Sequence, residues 1–313
     1  MIIASADSTW TDVFHMPISE RCGPAPAEVI RHIAQVNAHR AETHTKTANA
    51  DKHLLQLVKQ TMADMPSSVT QRLRDTFLGV YFATGIGSSA ATDIVISPTS
   101  EFLGLITVLD IEAVSHTSAN AWASWRERSP FDSSAALALE VQIAEHDDDH
   151  IRHAIQFLLL HELGHALSAG RSFLPDWWSQ VPDHLNTYDF SYLPISWQIA
   201  TDRSIVPLET NDFPLRRHIA HYDSGPQLPA AYMVDIYSAL KQTSFPTLYS
   251  ASSVHEDFAD SFACYVHTVL LNKPLAVSIR QHGELVLHWR IDWRSGRYAE
   301  KYAFFSRLLG SAA

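Results

Sequence analysis

Residues 157–167 read Phe157-Leu158-Leu159-Leu160-His161-Glu162-Leu163-Gly164-His165-Ala166-Leu167, an apolar run at helical spacing interrupted by two histidines and a glutamate. On a helix, residues four apart share a face, so His161 and His165 can point two imidazoles at one metal ion. Glu162 lies beside that face. It cannot easily join the same tetrahedron, but it can take a proton from water whose pKa the ion lowers toward neutrality. Gly164 permits close approach of another backbone or of the metal's far side. Upstream, Asp147, Asp148 and Asp149 suit the start of this helix as caps and as partners of its dipole. A second metal site made from them with His150 and His153 is the alternative, but ordinary capping accounts for the cluster. Gly170 suits the helix end.

Two imidazoles leave a zinc ion short of a ligand. An HExxHxxGxxH pattern would supply a third histidine, but Ser168 stands where its glycine belongs and Arg171 where its histidine belongs. The alternative is a glutamate from a second helix. Residues 253–263 read Ser253-Val254-His255-Glu256-Asp257-Phe258-Ala259-Asp260-Ser261-Phe262-Ala263. Glu256 and Asp260 share one helical face, while Phe258, Phe262, Val266 and Val269 can pack a core from another. Glu256 is therefore the expected third ligand. Asp260 is placed to accept the ring N–H of a ligand histidine, His161, fixing its tautomer and raising its basicity. Asp257 points about 100° away and is the lesser candidate. His255 is expected to be exposed.

With these residues in view, the chain resembles the glutamate-ligand zinc peptidases (gluzincins), and most closely the branch that includes the catalytic domain of anthrax lethal factor. In that branch the second helix carries Glu-x-Phe-Ala-Glu, whose first glutamate binds zinc, and a tyrosine seven residues earlier stabilises the oxyanion. Here Tyr249, Glu256, Phe258 and Ala259 match, and Asp260 replaces the second glutamate with a shorter arm. The resemblance covers the two helices and the tyrosine; the remainder of the chain is unmatched. It implies a hydrolase with one catalytic Zn2+, Glu162 as general base, Tyr249 as hydrogen-bond donor to the oxyanion, and a peptide or protein substrate. The long interval from His165 to Glu256, without an aminopeptidase substrate-amine motif, points to an endopeptidase. The rival reading is a zinc-bearing regulatory or binding module on a peptidase scaffold; a hydrolase of a non-peptide amide is a third.

Composition sets the frame. The chain has 313 residues, 46% hydrophobic and 18% charged, enough for one large domain or two lobes sharing a cleft. A formal net charge of -11 disfavours nucleic acid and anionic membranes as partners. The nearest basic run is only Arg216-Arg217. Cys22 and Cys264 form no CxxC pair, which leaves zinc ribbons and thioredoxin-like sites without support. Cys264 falls in an apolar helical pattern and reads as a core thiol. The first residues lack a basic n-region, and no apolar run reaches about 18 residues. The expectation is a cytoplasmic protein, with leaderless secretion as the alternative.

Periodicity predicts helices over 26–43, 51–63 and from 66 to 77, strands over 78–84, 93–97, 102–111 and 135–144, and the histidine helix over 151–167. Helices follow at 230–243 and 253–271, a strand at 284–291 and a helix at 297–310. This order argues for α+β, and with the resemblance for a zincin-like fold. The expected division is an N-terminal helical region, 1–77, packed on a catalytic domain, 78–313. That domain would have an upper lobe (78–170) holding a small mixed sheet and the histidine helix, and a mostly helical lower lobe (171–313). Residues 102–111 are the candidate edge strand for an extended peptide. Residues 171–228 give no clear pattern. In that stretch Trp177, Trp178 and Trp197 can form a substrate wall, with core packing for at least two of them. His184, His218 and His221 can line the cleft or serve as ordinary surface and core residues.

Overall fold

The structure is a computed structural model that describes residues 2–38, 44–114, 118–222 and 227–310. It mixes helices with a mixed sheet, and it divides into two compact units, residues 1–117 and 118–313.

The first unit holds β1 (Ile2–Ala4), β2 (Cys22–Pro24), α1 (Ala27–Val36), β3 (Lys46–Thr47), α2 (Lys52–Ala63), α3 (Ser67–Leu73), β4 (Phe77–Thr84), β5 (Ala90–Ile96), β6 (Phe102–Asp110) and the single turn α4 (Ile111–Val114). Its sheet runs β1-β5-β6-β4-β2, with β3 also on β4. This moves the expected boundary at 77/78. β4 is parallel to β2 and antiparallel to β3, so the N-terminal segment is woven into the sheet and cannot be a separate helical region. Val29 and Ile33 of α1 pack with Leu78, Val95, Ile106 and Val108 from the strands. The helix expected over 26–43 ends at Val36, and residues 39–43 lie outside the described residues. The edge-strand expectation for 102–111 is also overturned. β6 is hydrogen-bonded to β4 on one side and to β5 on the other, so it has no free edge for a peptide.

The second unit holds α5 (Ala119–Arg128), β7 (Leu137–Gln142), α6 (Ile151–Ser168), β8 (Trp197–Ile199), β9 (Ile205–Pro207), α7 (Met233–Leu240), α8 (Val254–Tyr265), β10 (Ala276–Gln281), β11 (Glu284–Arg290) and α9 (Ala299–Leu309). α8 continues into a π-helical turn, Val266–Leu270. β7 does not join the strands of residues 77–110 as expected. It pairs antiparallel with β10, which pairs with β11. The other edge of β7 is covered by α5: the Val141 N–H donates to Ser124 Oγ (2.8 Å), and the Ile143 and Ala144 N–H groups donate to Asn120 Oδ1 (2.7 and 2.9 Å). The segment between α6 and α7 has short helical turns and the β8–β9 pair, anchored by buried Leu174, Tyr192, Leu193 and Trp197.

α6 carries apolar residues on all sides and is buried over most of its length, which makes it the core helix of this unit. The aspartates before it act differently from the expectation. The N-cap is His150, without a side-chain cap bond, while Asp149 accepts from the Ser118 hydroxyl and the Asn120 N–H (2.8 Å each) and so fastens the start of α5. α6 crosses α8 at Gly164. A Cβ there would lie 2.8 Å from Ala259 Cα and 3.2 Å from its carbonyl oxygen, so only glycine permits this approach. α8 starts at Ser253, whose hydroxyl accepts the Glu256 N–H (3.2 Å), and buries Phe258 and Phe262 against Phe305 of α9. Among the described residues no helix is long and apolar enough to cross a membrane.

Gly164→Ala must force α6 and α8 apart, and overpacking of this kind costs about 1–3 kcal/mol. Urea unfolding of the substituted chain should show that loss. An unchanged midpoint would mean that the helices do not meet so closely.

Candidate metal centre

The crossing at Gly164 brings one face of α6 onto one face of α8. His161 and His165, one turn apart on α6, meet Glu256 from the first turn of α8. His161 Nε2 is 3.1 Å from Glu256 Oε2, His165 Nε2 is 3.4 Å from the same oxygen, and the two Nε2 atoms are 3.1 Å apart. Three ligand atoms bound to one tetrahedral zinc at ~2.0–2.1 Å would be separated by about 3.3–3.4 Å. Among the described residues this is the one group of three or more His, Cys, Asp or Glu side chains so arranged. The Asp147–Asp149 cluster with His150 and His153 does not converge in this way. His153 instead bonds Asp148 (2.9 Å) and Lys273 (2.6 Å).

The surroundings prepare His161 for this role. Its Nδ1 is 2.6 Å from Asp260 Oδ1, so the ring donates its Nδ1 proton to the carboxylate and turns Nε2 to the centre. Asp260 is fully buried, and the shorter arm reaches because the carboxylate is itself held. Arg126 donates to both of its oxygens (3.1 and 2.8 Å), and the Thr247 hydroxyl donates to Oδ2. Burial works against ionising Asp260, but Arg126 and His161 outweigh it and bring the carboxyl down to about 2. Burial likewise opposes charge on Glu256, but His165 and His161 hold it well below the usual carboxylate range. Glu256 Oε2 is buried without a hydrogen bond of good geometry, as expected of an oxygen aimed at a cation.

Charge points the same way. Glu127, Glu162 and Asp260 are buried and Glu256 half-buried, and the Arg126 guanidinium bonds Glu127 and Asp260. A divalent cation would offset the excess of carboxylates, and the two-imidazole, one-carboxylate donor set suits zinc with a position left open. The residues therefore fit the ion. Without it, burial lowers the His161 imidazole, but Asp260 and Glu256 prevail and raise it to about 10.

Tyr249 stands beside this cluster, its ring 5.5 Å from that of His161. Arg126 lies over it at 5.1 Å. Burial, Glu256 and, more weakly, Glu162 push its phenol up, so it keeps the proton it would donate. Glu127 fixes the turn that carries it by accepting the Leu248 N–H (2.7 Å). Of the other candidates, Trp177 is half-buried with its ring 6.0 Å from His165, whereas Trp197 is in the core. His221 is buried with its ring 4.9 Å from Tyr249, and burial drives it down to about 4; His184 and His218 are exposed, away from the metal-ligand group. Asp257 is buried on another face of α8 and pairs with Lys301. His255 is not fully exposed as expected: it bonds the Pro175 carbonyl (2.8 Å) and packs on Trp177.

Sequence reasoning missed Arg126, Glu127 and Thr247. Ser118 before 119–128 was a usable N-cap signal for α5, since its hydroxyl accepts the Ala121 N–H.

Two outcomes follow for the isolated protein. Zinc must displace the His161 proton, so apparent affinity should rise by up to about tenfold per pH unit toward pH 10. Calorimetry in buffers of different ionisation enthalpy should register the released proton; a pH-independent affinity would contradict the arrangement. Asp260→Asn should weaken zinc binding by about 10–100-fold in competition with a chelator. No protein-family model, no curated protein and no solved structure matches the chain.

Proposed function

We propose that this chain is a zinc-dependent peptidase of zincin-like architecture, related in kind to the gluzincins and acting within a polypeptide rather than at its end. The observation that carries the reading is the convergence of His161, His165 and Glu256, their ligand atoms within 3.1–3.4 Å, beside a buried Glu162 and next to Tyr249.

Zinc bound by His161, His165 and Glu256 would polarise a peptide carbonyl and lower the pKa of water toward neutrality. Glu162, one residue past His161, takes the proton from the attacking water and passes it to the leaving nitrogen. Tyr249, kept protonated by its surroundings, donates a hydrogen bond to the oxygen of the tetrahedral intermediate. Asp260 holds the His161 tautomer, and Arg126 and Thr247 hold Asp260. The buried Glu162 favours a peptidase over a docking module, because a structural zinc site has no use for a base there.

Glu162→Gln should retain one equivalent of zinc and lose cleavage of a diverse peptide mixture by at least about 100-fold, read as new termini by mass spectrometry. Glu256→Ala should lose zinc. If Glu256→Ala binds zinc as tightly as the parent chain, the ligand assignment is wrong.

A further inference from the structure

The rings around the metal centre form a connected series. On one flank Trp178 packs on Trp177 (4.7 Å between centroids), and Trp177 on His165 (6.0 Å). His165 meets His161 (4.8 Å), which meets Tyr249 (5.5 Å). On the other flank Tyr249 meets Tyr222 (5.7 Å), and Tyr222 meets Trp125 (5.4 Å). All belong to the second unit.

Two features separate this series from ordinary core packing. First, its outer members reach solvent: Trp177, Trp178 and Tyr222 are half-buried and Trp125 is 42% exposed. Isolated exposed aromatics are common, but contiguous ones on either side of a candidate reaction centre are not. Second, Tyr222 has a left-handed backbone (φ 55), a region that favours glycine and is uncommon for a bulky residue. That conformation sets its ring between Tyr249 and Trp125.

We propose that these two aromatic flanks bind the substrate and select an extended polypeptide with aromatic or large apolar side chains on both sides of the bond to be cut. The inference rests on the peptidase reading for what happens at the centre, though not for what binds. Trp177 is one ring contact from His165, whereas Trp125 is two from Tyr249 through Tyr222, so an extended chain, advancing ~3.3 Å per residue, meets Trp177 nearer the bond and Trp125 farther from it. Such segments are buried in folded proteins. The substrate is therefore an unfolded or locally exposed apolar stretch, and small polar peptides are poor ligands.

The test separates binding from cutting. Zinc-loaded Glu162→Gln is titrated with dye-labelled decapeptides of alanine and serine in which phenylalanine is walked along the chain singly and in pairs, read by fluorescence anisotropy. Each ring–ring contact is worth about 2- to 12-fold in affinity, so a paired peptide in register should bind at least about tenfold tighter than its all-alanine parent. Adding Trp177→Ala should abolish the preference near the bond and leave the distant one. Trp125→Ala should do the reverse, and Trp177→Phe should restore most of what Trp177→Ala loses. Zinc content is measured for every variant, so a collapsed site is not mistaken for a lost contact. If the all-alanine peptide binds as well as the paired one, or both alanine variants keep the preference, the proposal is wrong. The tightest peptide is then given to the parent chain. Binding with the aromatic preference but no cleavage upholds the groove and sinks the peptidase reading; cleavage without the preference does the opposite.

Discussion

A carboxylate with no access to water governs this site. Asp260 is fully buried, and an unpaired charge there would be costly enough to force a pKa shift or unfolding. It is satisfied by His161, Arg126 and Thr247, which come from α6, from α5 and from the turn before α8. Each donor also supplies something the site uses. His161 gains a fixed tautomer, Arg126 lies over the Tyr249 ring, and Thr247 begins the turn that carries Tyr249. Removing any one donor leaves the others around a charge with too few partners.

The close crossing of α6 and α8 makes that arrangement possible, and it was the most legible part of the chain. A helix of the Phe157–Leu167 kind announces itself by its period, and a glycine within it marks a tight contact. α8 was readable for the same reason, with Ser253 as its start. What periodicity does not encode is partnership. β7 has the same alternation whichever sheet it joins, so nothing local showed that it pairs with β10. For β6 a signal was present: an apolar run through Leu103–Leu109 fits a strand covered on both faces better than an edge. The mistaken boundary at 77/78 has a similar source, because β2 and β3 are three and two residues long and too short to register as strands.

Arg126 and Glu127 illustrate a different gap. A charged pair near the end of a polar-looking helix reads as solvated, yet both are buried here. Buried ion groups are poor at adding net stability but good at specifying geometry, and this pair does the latter. Arg126 aligns Asp260, and Glu127 takes the Leu248 N–H, so one turn of α5 positions both a ligand's support and the tyrosine. The surplus of acidic groups also acts on His161, because burial lowers its imidazole but Asp260 and Glu256 outweigh that and raise it to about 10.

α8 carries charge in two directions. Glu256 and Asp260 face α6, while Asp257, about 100° round the helix, pairs with Lys301 of α9 and accepts from Trp197. A helix gripped on one side can roll about its axis; one gripped on two cannot. Lys301 thus acts as a torsional lock: it bonds Asp257 and Ser261 on the face of α8 turned away from the histidines, and so holds the helix that carries Glu256. Substitutions in the last helix, far from the histidines in sequence, can then reach the Glu256 face of α8 through Asp257.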